Sequence, residues 1–142
     1  MMRREEVLQG VSECLSIVLD IPATSVREEV RLVGDLGADS LDLLDLSFQL
    51  EQRFRIRVTP RDIERRTRER LGGGPLDVDG IYTPEALAEF RRAMPEVPQE
   101  ELAPGLTVTD LPRRFRVATI VNLVLQLLQE QRAGDTEGDA DG

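Results

Sequence analysis

The run Gly34-Asp35-Leu36-Gly37-Ala38-Asp39-Ser40-Leu41-Asp42 decides how this chain is interpreted, because it places a serine directly before an acidic, leucine-rich segment. That segment is predicted to be a helix beginning at Ser40. Backbone N–H groups at a helix start are unpaired and the helix dipole is positive there, so a phosphate attached covalently to Ser40 would be stabilised. Gly37 permits a tight backbone approach just before the serine.

The length and the cysteine count indicate one domain from a reducing compartment. The chain has 142 residues, enough for one domain with a core of its own. No run approaches the roughly 18 apolar residues that a membrane span needs, and the polar-interrupted N-terminus does not match a signal peptide. With one cysteine no internal disulfide can form. We therefore expect a cytoplasmic protein without a membrane span.

Charge and missing residue types narrow the function classes. The net charge of -9 argues against nucleic-acid binding and favours basic protein partners. The chain contains no histidine and no lysine, which removes Ser–His and Cys–His catalysis, Schiff-base chemistry, histidine metal sites and a phosphate-loop lysine. Gly72-Gly73-Gly74 is accordingly predicted to be a linker. We expect no catalytic residue and no metal site, and hence a protein that is not an enzyme.

Apolar spacing and capping signals predict helices over about residues 3–19, 40–54, 59–70, 83–95 and 116–131. Thr59-Pro60 and Thr83-Pro84 supply N-cap and first-turn signals for the third and fourth helices. Residues 95–116 are predicted to hold only short turns. Cys14 borders the apolar stripe of the first helix and is interpreted as a small, half-buried hydrophobic residue. The Gly/Asp/Glu-rich tail, 133–142, is predicted to be disordered.

The helix after Ser40 carries two apolar stripes. At 100° per residue one stripe consists of Leu43, Leu46, Leu50 and Phe54, and the other of Leu41, Leu44 and Phe48, with Asp42 and Asp45 between them. A helix that only lined a core would need one stripe. The second stripe must therefore meet a partner, a cargo chain or another part of this protein.

The extended run around Ser40, its position after a long helix and a long loop, and the closing apolar helix together resemble the acyl carrier protein family. The resemblance is close over about Arg3–Arg66 and weaker at the final helix. It implies an all-α fold, a four-helix bundle here enlarged by a helical insert. It also implies that Ser40 carries 4′-phosphopantetheine, transferred from coenzyme A by a phosphopantetheinyl transferase (holo-ACP synthase) that supplies base and metal. The thiol of that arm would bear acyl groups as thioesters.

The resemblance also implies roles for the neighbours of Ser40. Asp39, Leu41 and Asp42 would form the cofactor-binding surroundings, with the two aspartates placing the serine for the transferase. Partner enzymes, such as an acyl-ACP synthetase, a ketosynthase or an acyltransferase, would contact a set made of Leu41, Asp42, Leu44, Asp45, Phe48 and Glu51. Gln52 and Arg53 stand where such carriers keep acids, which weakens the expectation of docking to ordinary fatty-acid synthase enzymes.

The chain is longer than the usual carrier. We expect a single carrier domain over 1–132, with a core of about 3–66 and 112–131 and an insert of about 67–111. Leu87, Phe90 and Met94 of this insert are hypothesised to pack over the second stripe or to extend an acyl cavity. Deleting about Gly72–Val108 would then change acyl-chain preference or partner choice and leave Ser40 modifiable.

The function predicted from the sequence is that of a monomeric acyl carrier for fatty-acid or specialised lipid biosynthesis. Three alternatives stay open. The chain could be an aminoacyl or polyketide carrier, although peptidyl carriers tend to show Gly-Gly-x-Ser where this chain has Gly37-Ala38-Asp39-Ser40. It could be a non-modified acidic adaptor that uses the second stripe only for docking. Ser40 itself could serve only as a helix N-cap.

Overall fold

The structure is a computed structural model that describes the backbone of residues 2–141 and the side chains of residues 2–133. Within that part, five α-helices account for most of the regular structure: α1 (Arg4–Leu19), α2 (Ser40–Phe54), α3 (Asp62–Arg70), α4 (Pro84–Ala93) and α5 (Val117–Asp141). A small antiparallel hairpin pairs β1 (Asp77–Val78) with β2 (Ile81–Tyr82). Short 3-10 turns occupy Ala23–Ser25, Gln99–Glu101 and Leu111–Arg114. The predicted all-α helical bundle is confirmed, and the small hairpin is an addition that the sequence analysis did not predict.

The ends of the helices follow local chemistry. The Thr83 hydroxyl accepts the Ala86 N–H at 3.2 Å, so α4 begins where the Thr-Pro signal predicts. The third helix does not begin at its Thr-Pro signal. It begins at Asp62, whose buried carboxylate accepts the Thr59 N–H at 2.8 Å. The Asp62 carboxylate therefore closes the turn before α3, and the predicted N-cap role of Thr59 is wrong.

The core of the bundle lies where α1 packs against α2 and α5. Its central side chains are apolar and fully or almost fully buried: Val7, Val11 and Leu15 from α1, Leu46, Leu50 and Phe54 from α2, and Val117, Val121 and Val124 from α5. A Cβ at Gly10 would lie 2.5 Å from the Phe54 ring, so the approach of α1 to α2 requires glycine there. Cys14 belongs to this core as well; it is more deeply buried than predicted, and burial raises the pKa of its thiol.

The insert belongs to the same buried cluster as the bundle and does not cover the second stripe of α2. Leu87, Phe90 and Met94 are 1, 0 and 2 % exposed, within the core, and the Phe90 ring meets Tyr82 edge-on at 4.8 Å. Leu41 and Phe48 of the stripe are exposed. The hypothesis that these insert residues pack over the stripe is wrong, because their apolar side is already buried by α3, the hairpin and the core.

Polar contacts fasten the insert to the start of α5. The Arg116 guanidinium donates to both carboxylate oxygens of Glu101, at 2.9 and 2.6 Å, and Arg114 Nε donates to the Glu101 carbonyl at 3.0 Å. Thr119 and Asn122 donate to the Glu96 carboxylate at 2.6 and 3.1 Å. Residues 96–101 are thereby tied to the first turns of α5.

The C-terminal helix extends past its predicted end at Gln131, to Asp141. The predicted disordered tail, 133–142, falls almost wholly outside the residues whose side chains are described. Across the described chain, no helix is both long enough and apolar enough to cross a membrane. The described side chains also form no cluster of three or more metal-ligating groups.

Candidate functional site

Ser40 is the first residue of α2 and is exposed, but it does not cap the helix. Asp39 is the N-cap: its carboxylate accepts the Asp42 N–H at 2.9 Å, and the Asp42 carboxylate accepts the Asp39 N–H at 3.0 Å. The Ser40 hydroxyl forms no hydrogen bond within the described residues. The alternative that Ser40 serves only as an N-cap is therefore wrong, and its hydroxyl is uncommitted.

The loop that delivers Ser40 to this position is fixed at several points. Leu32, fully buried, donates its N–H to the Phe115 carbonyl at 3.2 Å and accepts the Ala38 N–H at 3.0 Å. The Asp35 carboxylate accepts the Arg31 N–H at 2.8 Å, and this hydrogen bond lowers the pKa of Asp35. Gly37 has a φ of 75°, and a Cβ added to this residue would have no other atom within 4 Å. Glycine is needed there for its left-handed backbone, and the predicted close approach is absent.

The start of α2 offers two free backbone donors. The N–H groups of Ser40 and Leu41 have no acceptor among the described residues, whereas that of Asp42 is taken by Asp39. Unpaired donors at the positive end of a helix dipole stabilise an anion. An exposed, uncommitted hydroxyl beside these donors fits the attachment of a phosphate-containing group.

The second stripe of α2 faces outward, as its spacing predicts. Leu41, Leu44 and Phe48 are 71, 41 and 54 % exposed. Asp45 is exposed beside them and Asp42 is half-buried by its place in the capping pair. These five residues form one surface, which we call the α2 face, with apolar side chains flanked by carboxylates.

Glu51 differs from the residues of the α2 face. It is half-buried, and its carboxylate accepts the Val58 N–H at 3.1 Å across the turn that leads to α3. One of its oxygens is thus committed inside the protein. Glu51 helps to shape the α2–α3 connection whatever else it contacts.

A cleft of about 490 Å³ adjoins Ser40, and no local sequence pattern indicates it. The loop before α2, the first turns of α2 and α3, the end of the insert and the 3-10 turn Leu111–Arg114 all line it. The lining residues are Val33, Ala38, Asp39, Ser40, Leu43, Pro60, Arg61, Glu64, Val108, Thr109, Pro112 and Arg113. Sequence reasoning missed the contribution of the insert, because its final segment reaches Ser40 only through tertiary folding.

In comparisons with known proteins, residues 9–72 match the family described as "Phosphopantetheine attachment site". An acyl carrier protein of Thermotoga maritima is 42% identical over 65 residues, which are 46% of this chain and 80% of the relative. One of Rubrobacter xylanophilus is 36% identical over 66 residues, 46% of this chain and 82% of the relative. The chain belongs to the acyl carrier protein family. No solved structure matches it.

Membership of the acyl carrier protein family settles the class of the protein. It is a carrier and not an enzyme, and the prosthetic group of its family is 4′-phosphopantetheine. The family interacts in general with synthases, transferases and acyltransferases. The matched residues end at 72. The hairpin, α4 and α5 therefore lie outside the match. What the insert adds must therefore be argued from this chain's own geometry.

Proposed function

We propose that Ser40 is the attachment residue for 4′-phosphopantetheine and that the protein carries acyl intermediates as thioesters on that arm. The observation that carries the proposal is the uncommitted Ser40 hydroxyl, exposed at the start of α2 next to two free N–H groups. Ser40 also lies inside the matched range, 9–72. We assign the carrier to fatty-acid or specialised lipid biosynthesis in the cytoplasm.

The chemistry asked of Ser40 is modest. Its hydroxyl oxygen supplies one ester link of a phosphodiester, and the phosphopantetheinyl transferase supplies base and metal. The absence of histidine from this chain is then no obstacle. Asp39 and Asp42 fix the first turn of α2 through their reciprocal hydrogen bonds. Their contribution is to present the serine in one place, since a frayed helix start would scatter it.

The α2 face is the proposed docking surface for partner enzymes. Its three apolar side chains are largely exposed, and Asp42 and Asp45 supply negative charge beside them. Such a surface suits partners that offer an apolar patch rimmed by arginine or lysine: the transferase first, and then an acyl-ACP synthetase, a ketosynthase or an acyltransferase. Because one oxygen of Glu51 accepts the Val58 N–H, we expect Glu51 to contribute less to partner binding than Asp42 and Asp45 do.

Attachment is tested by mass. The purified protein is incubated with coenzyme A, magnesium and a broad-specificity phosphopantetheinyl transferase, and its intact mass and modified peptide are measured. We expect one phosphopantetheine on Ser40, none on Ser40→Ala, and full modification of Ser25→Ala. Ser25 is the matched control because it is exposed but donates its hydroxyl to the Pro22 carbonyl. A folded wild-type protein that stays unmodified would refute attachment and favour the non-modified adaptor.

Docking is tested separately. Leu41→Ala combined with Phe48→Ala should slow modification by the transferase about tenfold, since truncating the central contacts of an interface costs more than about 1 kcal/mol. Ile17→Ala on α1 is the control, because Ile17 is 66% exposed and lies outside the α2 face. Equal rates for the two proteins would exclude the α2 face from transferase recognition. Intact mass of the carrier from its native host then identifies the acyl, aminoacyl or polyketide cargo, and gel filtration tests the expected monomer.

A further inference from the structure

The cleft beside Ser40 has the size of a binding site and is built in part by the insert. Its volume of about 490 Å³ falls in the range of about 300–1,000 Å³ that is typical of small-molecule sites. Its lining includes Val108 and Thr109 from the insert, and Val108 donates its N–H to the Gly80 carbonyl at 2.9 Å. Leu111, fully buried, anchors the same segment in the core. These contacts hold residues 108–111 in position beside Ser40.

Two arginines in the cleft lack partners. Arg61, just before α3, and Arg113, in the 3-10 turn that follows the insert, are both exposed, and neither guanidinium forms an ion pair or hydrogen bond within the described residues. The chain has a net charge of -9 and many carboxylates, yet none of those in the described residues forms an ion pair with Arg61 or Arg113. The positive charge of these two side chains is available to a ligand.

The cleft also contains two acids, Asp39 and Glu64, of which Asp39 is engaged in hydrogen bonds. Asp39 is held in the capping pair with Asp42. Glu64 lies near the buried Tyr82, and burial first and the Glu64 carboxylate second raise the pKa of the phenol, but the phenol oxygen forms no hydrogen bond within the described residues. An anion entering beside Ser40 therefore meets two unpaired guanidinium groups, together with the free N–H groups at the start of α2.

We propose that Arg61 and Arg113 bind the phosphodiester of an arm carried by Ser40, so that the cleft holds the arm in a docked position. The inference rests on the proposed function of Ser40 and concerns what the insert adds to it. Guanidinium groups bind phosphate oxygens through paired, charge-assisted hydrogen bonds. The remaining wall alternates apolar groups (Val33, Leu43, Pro60) with the Thr109 hydroxyl, which suits a pantetheine chain of methyl, hydroxyl and amide groups.

The test uses the full-length protein modified on Ser40 and bearing a free thiol. The ³¹P NMR shift of the phosphodiester is recorded for the folded protein and in urea. Reaction of the arm thiol with iodoacetamide is followed by intact mass and peptide mapping. The variant combines Arg61→Gln with Arg113→Gln. The matched control combines Arg57→Gln with Arg68→Gln, two exposed arginines without ion pairs in the described chain and outside the cleft.

In the wild-type carrier we expect a ³¹P shift distinct from the value in urea. In the Arg61/Arg113 variant the shift should move to the urea value and thiol alkylation should accelerate about fivefold, as expected for the loss of two exposed charge contacts. The control should behave as wild type. High salt should reproduce the effect in wild type and do little in the variant.

Three results would overturn the proposal, and they are distinguishable. If the variant and wild type share one shift and one alkylation rate, the arginines do not hold the arm. If a difference appears only after the thiol is acylated, the arginines serve an anionic group on the cargo. If intact mass shows no modification of Ser40, the attachment itself is wrong and arm docking falls with it.

Discussion

The contact between Glu101 and Arg116 gives the most direct test of how firmly the insert is joined to the bundle. Glu101→Gln keeps the shape of the side chain but removes its charge. The Arg116 side chain is 11% exposed and that of Glu101 27%, so the pair lies between a surface salt bridge and a buried one. Losing a charged hydrogen bond costs about 1.5–3 kcal/mol, and partial exposure keeps the cost below that of a fully buried pair. We expect a loss of about 2 kcal/mol in the free energy of unfolding.

The same substitution has a pH signature with a definite sign. Hydrogen bonds from Arg116 hold the pKa of Glu101 below its ordinary value. A carboxyl group whose pKa is lowered by folding stabilises the protein fully above its unfolded pKa, about 4.3, and loses that effect as pH falls through the folded pKa. The stability difference between wild type and Glu101→Gln should therefore be largest at neutral pH and should shrink as the pH drops below about 4.

Circular dichroism at 222 nm, followed through urea and thermal unfolding at several pH values, measures both effects. A loss of about 2 kcal/mol should lower the melting temperature by roughly 6 °C in a domain of this size. Glu100→Gln is the matched control, since Glu100 is exposed and forms no ion pair in the described chain. If Glu101→Gln and Glu100→Gln melt together at neutral pH, or if the difference does not change with pH, the reasoning is refuted.

Three further substitutions or reactions test other parts of the structure. Asp39→Ala should lower the free energy of unfolding, measured by circular dichroism, by about 1 kcal/mol and should slow modification of Ser40. Asp39→Asn should retain most of the stability, because its amide oxygen can still accept the Asp42 N–H. Cys14 should react with iodoacetamide far more slowly in the folded protein than in urea, by peptide mapping, because burial raises the pKa of its thiol. Phe90→Ala should destabilise the whole domain by about 3–5 kcal/mol, because the ring is fully buried. The control Val78→Ala, at a 67% exposed position, should cost less than about 0.5 kcal/mol. Unfolding of the insert in a separate transition would contradict the expectation of one cooperative domain.

The parts of the fold that local chemistry determines were predictable from the sequence. Thr83-Pro84 located the start of α4, and the two stripes of α2 separated buried Leu46 and Leu50 from exposed Leu41. The capping pair was also readable in principle, because Asp39 and Asp42 have the spacing of a capping box. Ser40, between these two acids in the sequence, is then the first helical residue and not the cap.

The hairpin was missed although a local signal exists. Asp79-Gly80, both with positive φ, joins β1 to β2, and an Asp-Gly pair between short apolar segments favours a two-residue hairpin turn. What no local signal contained is the path of the chain after α4. Thr107 pairs with Ile81, and Val108 then passes beside Ser40, because the core fixes Leu106 and Leu111 on either side. Such long-range placement depends on packing of the whole insert.

The geometry of α2 separates partner docking from arm docking. Leu41, Leu44 and Phe48 are exposed on the α2 face, and none of them lines the cleft; Ser40 and Leu43 line it instead. The two surfaces adjoin only at Ser40 and its capping pair. On the two proposals made above, a partner enzyme would engage the α2 face while the arm still occupied the cleft, and release of the arm would follow recognition. Because Thr109 and Arg113 line the cleft and lie outside α2, a partner that also contacted either of them would favour that release, whereas one confined to α2 would not.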